Sequence, residues 1–359
     1  MNQVKSFLIF GILSNLLLFS CDSKQSGGNT KSPRVKSVCK VTSPKNGSIF
    51  TIGDTINFEI SKNATDIEID SILVSPNVGK YTDTSFEWQT AAENPGKKNL
   101  LVSIFLSNGN VEKKRHQITL LSALEPTQYT YRTVNTFVHD PDAFTEGLIY
   151  KSGQLYESTG EKGFSTLRRV DLRSGKVQKS IDLTSQYFGE GIAIVDDKIF
   201  MLSWKERTGF IFDKQTLEAK GQFSYATEGW GLTAHGDTLI MSNGTHVLQF
   251  LDASGFNVIR QLEVYDKNGP VDALNELEFI NGDIFAVRWQ TENIYIIDAS
   301  TGKVKGIVDL SGIFDYSLYN RRIDVLNGIA YNSKTETYYV TGKWWPKLFE
   351  IELIRKNNI

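Results

Sequence analysis

From about residue 128 onward, apolar residues fall in short runs with a period of two, and each run is cut by a turn signal instead of continuing at helical spacing. Five runs open on a glycine- or asparagine-centred turn: FTEGLIY, FGEGIAI, EGWGLTA, LNELEFI and LNGIAYN. Each is followed by a tight turn and a second apolar run, in GQLYEST, DKIFMLSW, GDTLIMSN, GDIFAVRW and TETYYVTGKWW. A third run carries a hairpin with its own turn, as in RRVDLRSGKVQKSIDL and IYIIDASTGKVKGIVDL. A repeat of about 40 to 50 residues holding about four strands predicts a β-propeller blade, so residues 128–356 predict a five-bladed propeller. The fifth unit stops at KLFEIELI without an outer strand. YTYRTVNTFVH, ahead of the first repeat, is the strand expected to close the ring by pairing first with last.

The pattern before the repeats is different. Residues 35–122 alternate in shorter strands split by SPKNGS, IGD, SPNVGK and LSNGN, which predicts a small β-sandwich of immunoglobulin-like type. It carries no cluster of His, Cys or acidic residues and reads as a spacer or docking domain, joined to the repeats through SALEPTQ. The fold class expected is therefore all-β. At the start, Lys5 and the apolar stretch FLIFGILSNLLLF form a signal segment for residues 1–21, ending in LFSC at Cys21. Ser20 before the cysteine resembles a bacterial lipoprotein signal, which implies lipidation of Cys21, a flexible tether over 22–34, and an exported protein anchored to the cell envelope, at its periplasmic side or outer membrane.

Composition narrows the chemistry. The chain of 359 residues is 40% hydrophobic and carries a formal net charge of −2, with no basic block, so nucleic acid is not an expected partner. Beyond Cys21 the only cysteine is Cys39, which makes no disulfide framework, and a monomer is expected. The four histidines, His116, His139, His235 and His246, lack metal-ligand spacing. No G-x-S-x-G elbow occurs, and SGKV and TGKV are hairpin turns without the rest of a phosphate loop. Structural calcium is compatible with a propeller, though no dedicated loop is present.

In a propeller the opening motif of each repeat faces the central channel, so residues far apart in sequence meet there. That geometry gathers Phe144, Glu146, Phe188, Glu190, Glu228, Trp230, Asn275, Glu276 and Asn327 toward one ring, with Trp204, Trp289 and the GKWW group, Lys343 to Trp345, at the neighbouring strand ends. Aromatic walls with a few carboxylates and amides suit a small-ligand pocket. Glycine and aromatic rings at blade starts also serve packing. Glu190, held between two glycines beside Phe188, is not explained that way: a carboxyl facing a closed channel should have a raised pKa, as a proton shuttle needs.

Together and in this order, HDPDAFTEGLIY, LYESTG, FGEGIA, LSWKE, EGWGL, LNELE and GKWW resemble the plant-type glutaminyl-peptide cyclotransferases, metal-independent five-bladed propellers. The resemblance implies cyclisation of an N-terminal glutamine of a peptide or protein to 5-oxoproline with release of ammonia, without a catalytic cofactor. It places the catalytic set on Glu190, Asn275 and Lys343, and the substrate-binding set on Phe144, Glu146, Phe188, Trp204, Trp230 and Trp289. Glu146 departs from the plant pattern, which has glutamine there. The alternative of another class is a non-catalytic propeller lipoprotein that binds a peptide or small ligand on the same aromatic floor.

Overall fold

The computed structural model describes residues 37–64 and 66–356, and Cys21 with its tether lies outside them. Apart from a single 3₁₀ turn at Tyr316–Leu318, the regular elements of the described residues are all strands. The first group of strands forms two sheets. Cys39–Ser43, Thr55–Lys62 and Ser85–Gln89 make one; Ser48–Thr51, Val111–Leu121, Gly96–Leu106, Ile69–Ser75 and Gly79–Tyr81, in that spatial order, make the other. Ile56, Phe58 and Ile60 are buried while the residues between them are exposed, the result of side chains pointing to alternate faces along a strand.

The second group is a propeller. Three antiparallel sheets of four strands occupy residues 145–182, 189–224 and 232–263, and the remaining two blades are fused into one eight-stranded sheet. Thr127–Val138 causes the fusion: it pairs antiparallel with Lys347–Arg355 and, at its start, in parallel with Val304–Asp309. The strand preceding the first repeat thus completes the last blade, as the sequence predicts, and the sheet that would end on an open edge is covered. The innermost strands, Thr145–Lys151, Gly189–Val195, Leu232–His235, Leu274–Ile280 and Leu326–Asn332, pack on one another in a closed ring.

A separate apolar cluster fills each space between neighbouring blades. Tyr156 and Leu167 meet Ile192 and Met201; Phe200 and Leu202 meet Leu232 and Met241; Ile240 and Leu248 meet Leu277 and Ile284. Phe285 and Val287 then meet Ile329 and Val340, and Leu148 and Leu155 meet Ala330 and Leu348 across the closure. Every blade is therefore buried on both faces, which is why its strands read as near-continuous apolar runs toward their middles. Both groups of strands belong to one compact unit, in which the backbone N–H of Lys97 donates to the Glu263 carboxylate at 2.8 Å and Lys267 pairs with Glu125.

Candidate active site

Strict alternation would aim successive side chains to opposite faces of each inner strand. Four of the five inner strands break it at their first residues: the pairing register shifts between Thr145 and Gly147, Gly189 and Ile192, Leu274 and Leu277, and Leu326 and Ile329. Such bulges re-aim side chains. The residues inside them are Glu146, Glu190, Asn275 with Glu276, and Asn327. Glycine permits the tight ring that results. A Cβ on Gly191 would lie 2.4 Å from the backbone nitrogen of Leu232, and one on Gly231 would lie 2.0 Å from the carbonyl oxygen of Asn275.

Of these, Glu146, Glu190 and Asn275 reach a pocket of about 310 Å³ whose lining is completed by Phe144, Phe188, Trp204, Trp230, Trp289, Asp324 and Lys343. Its aromatic wall is continuous in part: Phe144 meets Phe188 edge to face at 5.9 Å between centroids, Phe188 meets Trp204 at 5.6 Å, and Trp230 meets Trp289 at 5.7 Å. Trp289 is 39% exposed and stands at the mouth, whereas Glu190 is 6% exposed and sits deep.

The two buried glutamates differ in their partners. The Lys343 ammonium donates to Glu146 Oε1 at 2.8 Å and the Asn327 amide donates to Oε2 at 2.8 Å, so both oxygens are engaged. Burial raises the Glu146 carboxyl to about 7 against the opposing pull of Lys343, with the Asp324 charge adding to the rise. No donor among the described residues bonds the Glu190 carboxylate; its backbone carbonyl alone is held, by Ser158 Oγ at 2.7 Å. Burial pushes the Glu190 carboxyl well above the ordinary carboxylate range, and the Glu146 charge pushes it further, opposed by Lys343. Asn275 Oδ1 is buried without a hydrogen-bond partner, a polar group left to be satisfied by something that enters.

A family model described as glutamine cyclotransferase matches residues 101–353, more than half of the chain. The chain belongs to the glutamine cyclotransferase family. It is 41% identical over 224 residues to a glutaminyl-peptide cyclotransferase of Arabidopsis thaliana, which covers 61% of this chain and 70% of that protein. It is also similar to the crystal structure of Myxococcus xanthus glutaminyl cyclase, at 31% identity and a TM-score of 0.62, over 65% of this chain and 100% of the other. The matched span begins within Gly96–Leu106, ahead of the propeller, although the resemblance read from the motifs covered the repeats alone.

Within this cyclotransferase fold, all nine propeller residues expected at the site line the one pocket. Other residues of the anticipated ring do different work. Glu276 spans the channel and accepts from the backbone N–H groups of Leu148 at 3.1 Å and Ile329 at 2.9 Å, bracing blades at opposite sides of the closure. Trp345 is fully buried between blades and donates to the Asp324 carbonyl at 2.8 Å, so it is core and not rim. Trp344 lies behind the wall, 4.5 Å from Phe144. Asp324 is the lining residue that sequence reasoning missed. It lies in a loop outside the repeat motifs, and the one signal for it, an acid just ahead of VLNGIA, is ordinary for a turn.

Proposed function

We infer that this protein is a glutaminyl-peptide cyclotransferase, closing the N-terminal glutamine of a peptide or protein to 5-oxoproline with release of ammonia. The observation that carries the reading is the pair of contrasting acids in one aromatic pocket: Glu146 engaged on both oxygens by Lys343 and Asn327, and Glu190 unbonded with a raised proton affinity. A non-catalytic binder would need the rings but not a carboxyl prepared in this way.

The reaction follows from the residues. The α-nitrogen attacks the γ-carboxamide carbon, a C–N bond forms in the ring, and the C–N bond to the departing nitrogen breaks. Burial and the Glu146 charge raise the proton affinity of the Glu190 carboxyl well above that of an ordinary carboxylate, which makes it a better base toward the α-nitrogen. Glu190 receives the proton from the α-nitrogen and returns it to the leaving nitrogen, which departs as ammonia. Asn275 stabilises charge developing on the carbonyl oxygen. Lys343, balanced by Glu146, supplies positive potential near the reacting carbonyl without adding an unpaired buried charge. The aromatic walls keep the glutamine stem folded so that nitrogen meets carbonyl, and the open side at Trp289 lets the rest of the peptide trail into solvent. No step of this route draws on a metal, and among the described residues no group of three or more His, Cys, Asp or Glu is arranged to hold one.

The reading extends to the cell. The LFSC terminus of the signal supports export and lipid anchoring through Cys21, with the propeller acting as a monomer and residues 35–122 as an immunoglobulin-like spacer or docking domain. A Cys21→Ser variant is expected to leave the membrane fraction or remain unprocessed, and fractionation like the parent sinks the anchor. For the activity, purified protein is incubated with a Gln-initiated dipeptide and ammonia is measured. Stoichiometric ammonia with 5-oxoproline supports the enzyme, whereas saturable binding of the dipeptide without turnover leaves the binder.

A further inference from the structure

The aromatic wall has a gap in its ring-to-ring contacts. Phe144, Phe188 and Trp204 touch in series on one side, and Trp230 and Trp289 touch on the other. The two halves come from different blades, and Glu228 lies between them. Trp204 Nε1 donates to Glu228 Oε2 at 2.9 Å, and Trp230 Nε1 donates to the same oxygen at 3.1 Å. An indole N–H is a donor only, so two indoles can be drawn to one point only by an acceptor set between them. Backbone contacts hold the acceptor there: Gly229 N–H donates to the Trp204 carbonyl at 3.0 Å, and Trp230 N–H donates to the Ser242 carbonyl at 3.1 Å.

We propose that Glu228 is a positioning residue for the cyclisation: one carboxylate oxygen fixes both indole walls and so sets the shape into which the glutamine side chain folds. The proposal rests on the functional reading above. Glu228 does not line the pocket itself. It acts on bound substrate through the two tryptophans, and on Glu190 through its charge, which adds to the rise caused by burial and by Glu146.

Two variants separate the shape from the charge. Glu228→Gln keeps an oxygen that can accept from both indoles and removes the charge, while Glu228→Ala removes the acceptor. In ligand-free protein, ultraviolet resonance Raman bands of the indole N–H should report loss of strong hydrogen bonding in Glu228→Ala and its retention in Glu228→Gln; this arm needs no turnover. With a Gln-initiated dipeptide, Glu228→Ala should raise KM about 10-fold or more, with kcat falling less. Glu228→Gln should keep KM within about 3-fold of the parent and move the rising limb of kcat/KM to lower pH. Parental KM in Glu228→Ala, or equal KM damage in both variants, overturns the proposal. Failure of the parent to release ammonia overturns the enzyme reading, and the indole bands still test the clamp.

Discussion

Glu146 and Glu190 are the same residue type, each inside a bulge of an inner strand, each buried, and each followed by glycine. Their partners assign their chemistry. A carboxylate engaged by an ammonium and an amide is fixed in place and weakens those bonds when it takes a proton; an unbonded one in the same pocket loses nothing of the kind. Glu190→Gln preserves size and removes the transferable proton. It should fold with the parental thermal transition and lose about 10²- to 10⁴-fold in turnover of a Gln-dipeptide, toward the upper end because Glu190 serves two transfers. Near-parental turnover would make that carboxylate structural. Glu146→Gln should be milder and should move the rising limb of the pH profile downward, since the charge that raises Glu190 is gone. How much of this was legible follows from the same pair. The exposed logic of FGEGI, an acid between glycines, marked Glu190. The engagement of Glu146 by Lys343 was not visible, because the two lie 197 positions apart and only ring closure brings them together.

At the scale of the element, the repeats and their strand count were plain from period-two runs and turn residues, but the bulges were not. A register shift is decided by what the neighbouring strand and blade present, and sequence alternation carries that only faintly. Glycine was the readable trace. It follows the bulged or opening residue at Gly147, Gly191, Gly231 and Gly328, and blade four departs from this, since Glu276 takes the position and braces the channel instead. Gly231→Ala tests the reason. Its Cβ would meet the Asn275 backbone, which cannot swing aside as a flexible side chain could, so the inner strand of blade four must shift and carry Asn275 with it. A loss of about 1 to 3 kcal/mol and a fall in turnover larger than the stability loss explains are expected. Gly221→Ala is the control: its Cβ has ordinary contact with Ile211 at 3.7 Å and should change neither. Equal behaviour of the two variants in thermal unfolding and ammonia release would remove close approach as the reason for the inner glycine.

At the scale of the whole molecule, the ring has one seam, where Thr127–Val138 completes the last blade and the chain then turns into the first. His139, the next residue, locks that seam. Its Nδ1 lies 2.6 Å from the Trp345 carbonyl oxygen and its Nε2 lies 2.9 Å from Glu157 Oε1. Both partners are acceptors when Glu157 is ionised, so both ring nitrogens carry protons and the buried ring is an imidazolium. Thr145 Oγ1 donates to the same Glu157 oxygen at 2.8 Å, and Arg168, bonded to Asp140 at 2.7 Å, stands 3.9 Å from the other. The lock therefore ends one residue from Glu146 on one side and one residue from Trp344 on the other.

Burial disfavours a charged His139, yet the Glu157 charge and hydrogen bond outweigh it and its pKa stands above the usual 6.5. Burial likewise pushes the Glu157 carboxyl up, and His139 and Arg168 bring it below the usual 4.5. The signs set the window. The histidine's contribution to stability is complete below 6.5 and is lost as pH rises through its higher folded value; the glutamate's is complete above 4.5 and is lost as pH falls through its lower folded value. Between those limits the lock is at full strength. His139→Gln removes the hydrogen-bonded cation of buried Glu157 and leaves it Thr145 and the more distant Arg168; breaking a buried pair costs about 3 to 5 kcal/mol, with Arg168 holding the loss toward the lower end. The variant's deficit in melting temperature should be largest near pH 5 to 6 and should shrink as pH rises and the parent's own imidazolium loses its proton. Melting curves of parent and variant from pH 5 to pH 9 decide it: a deficit that stays constant or widens toward alkaline pH means that His139 holds the seam as a neutral ring, and the ionic lock does not exist.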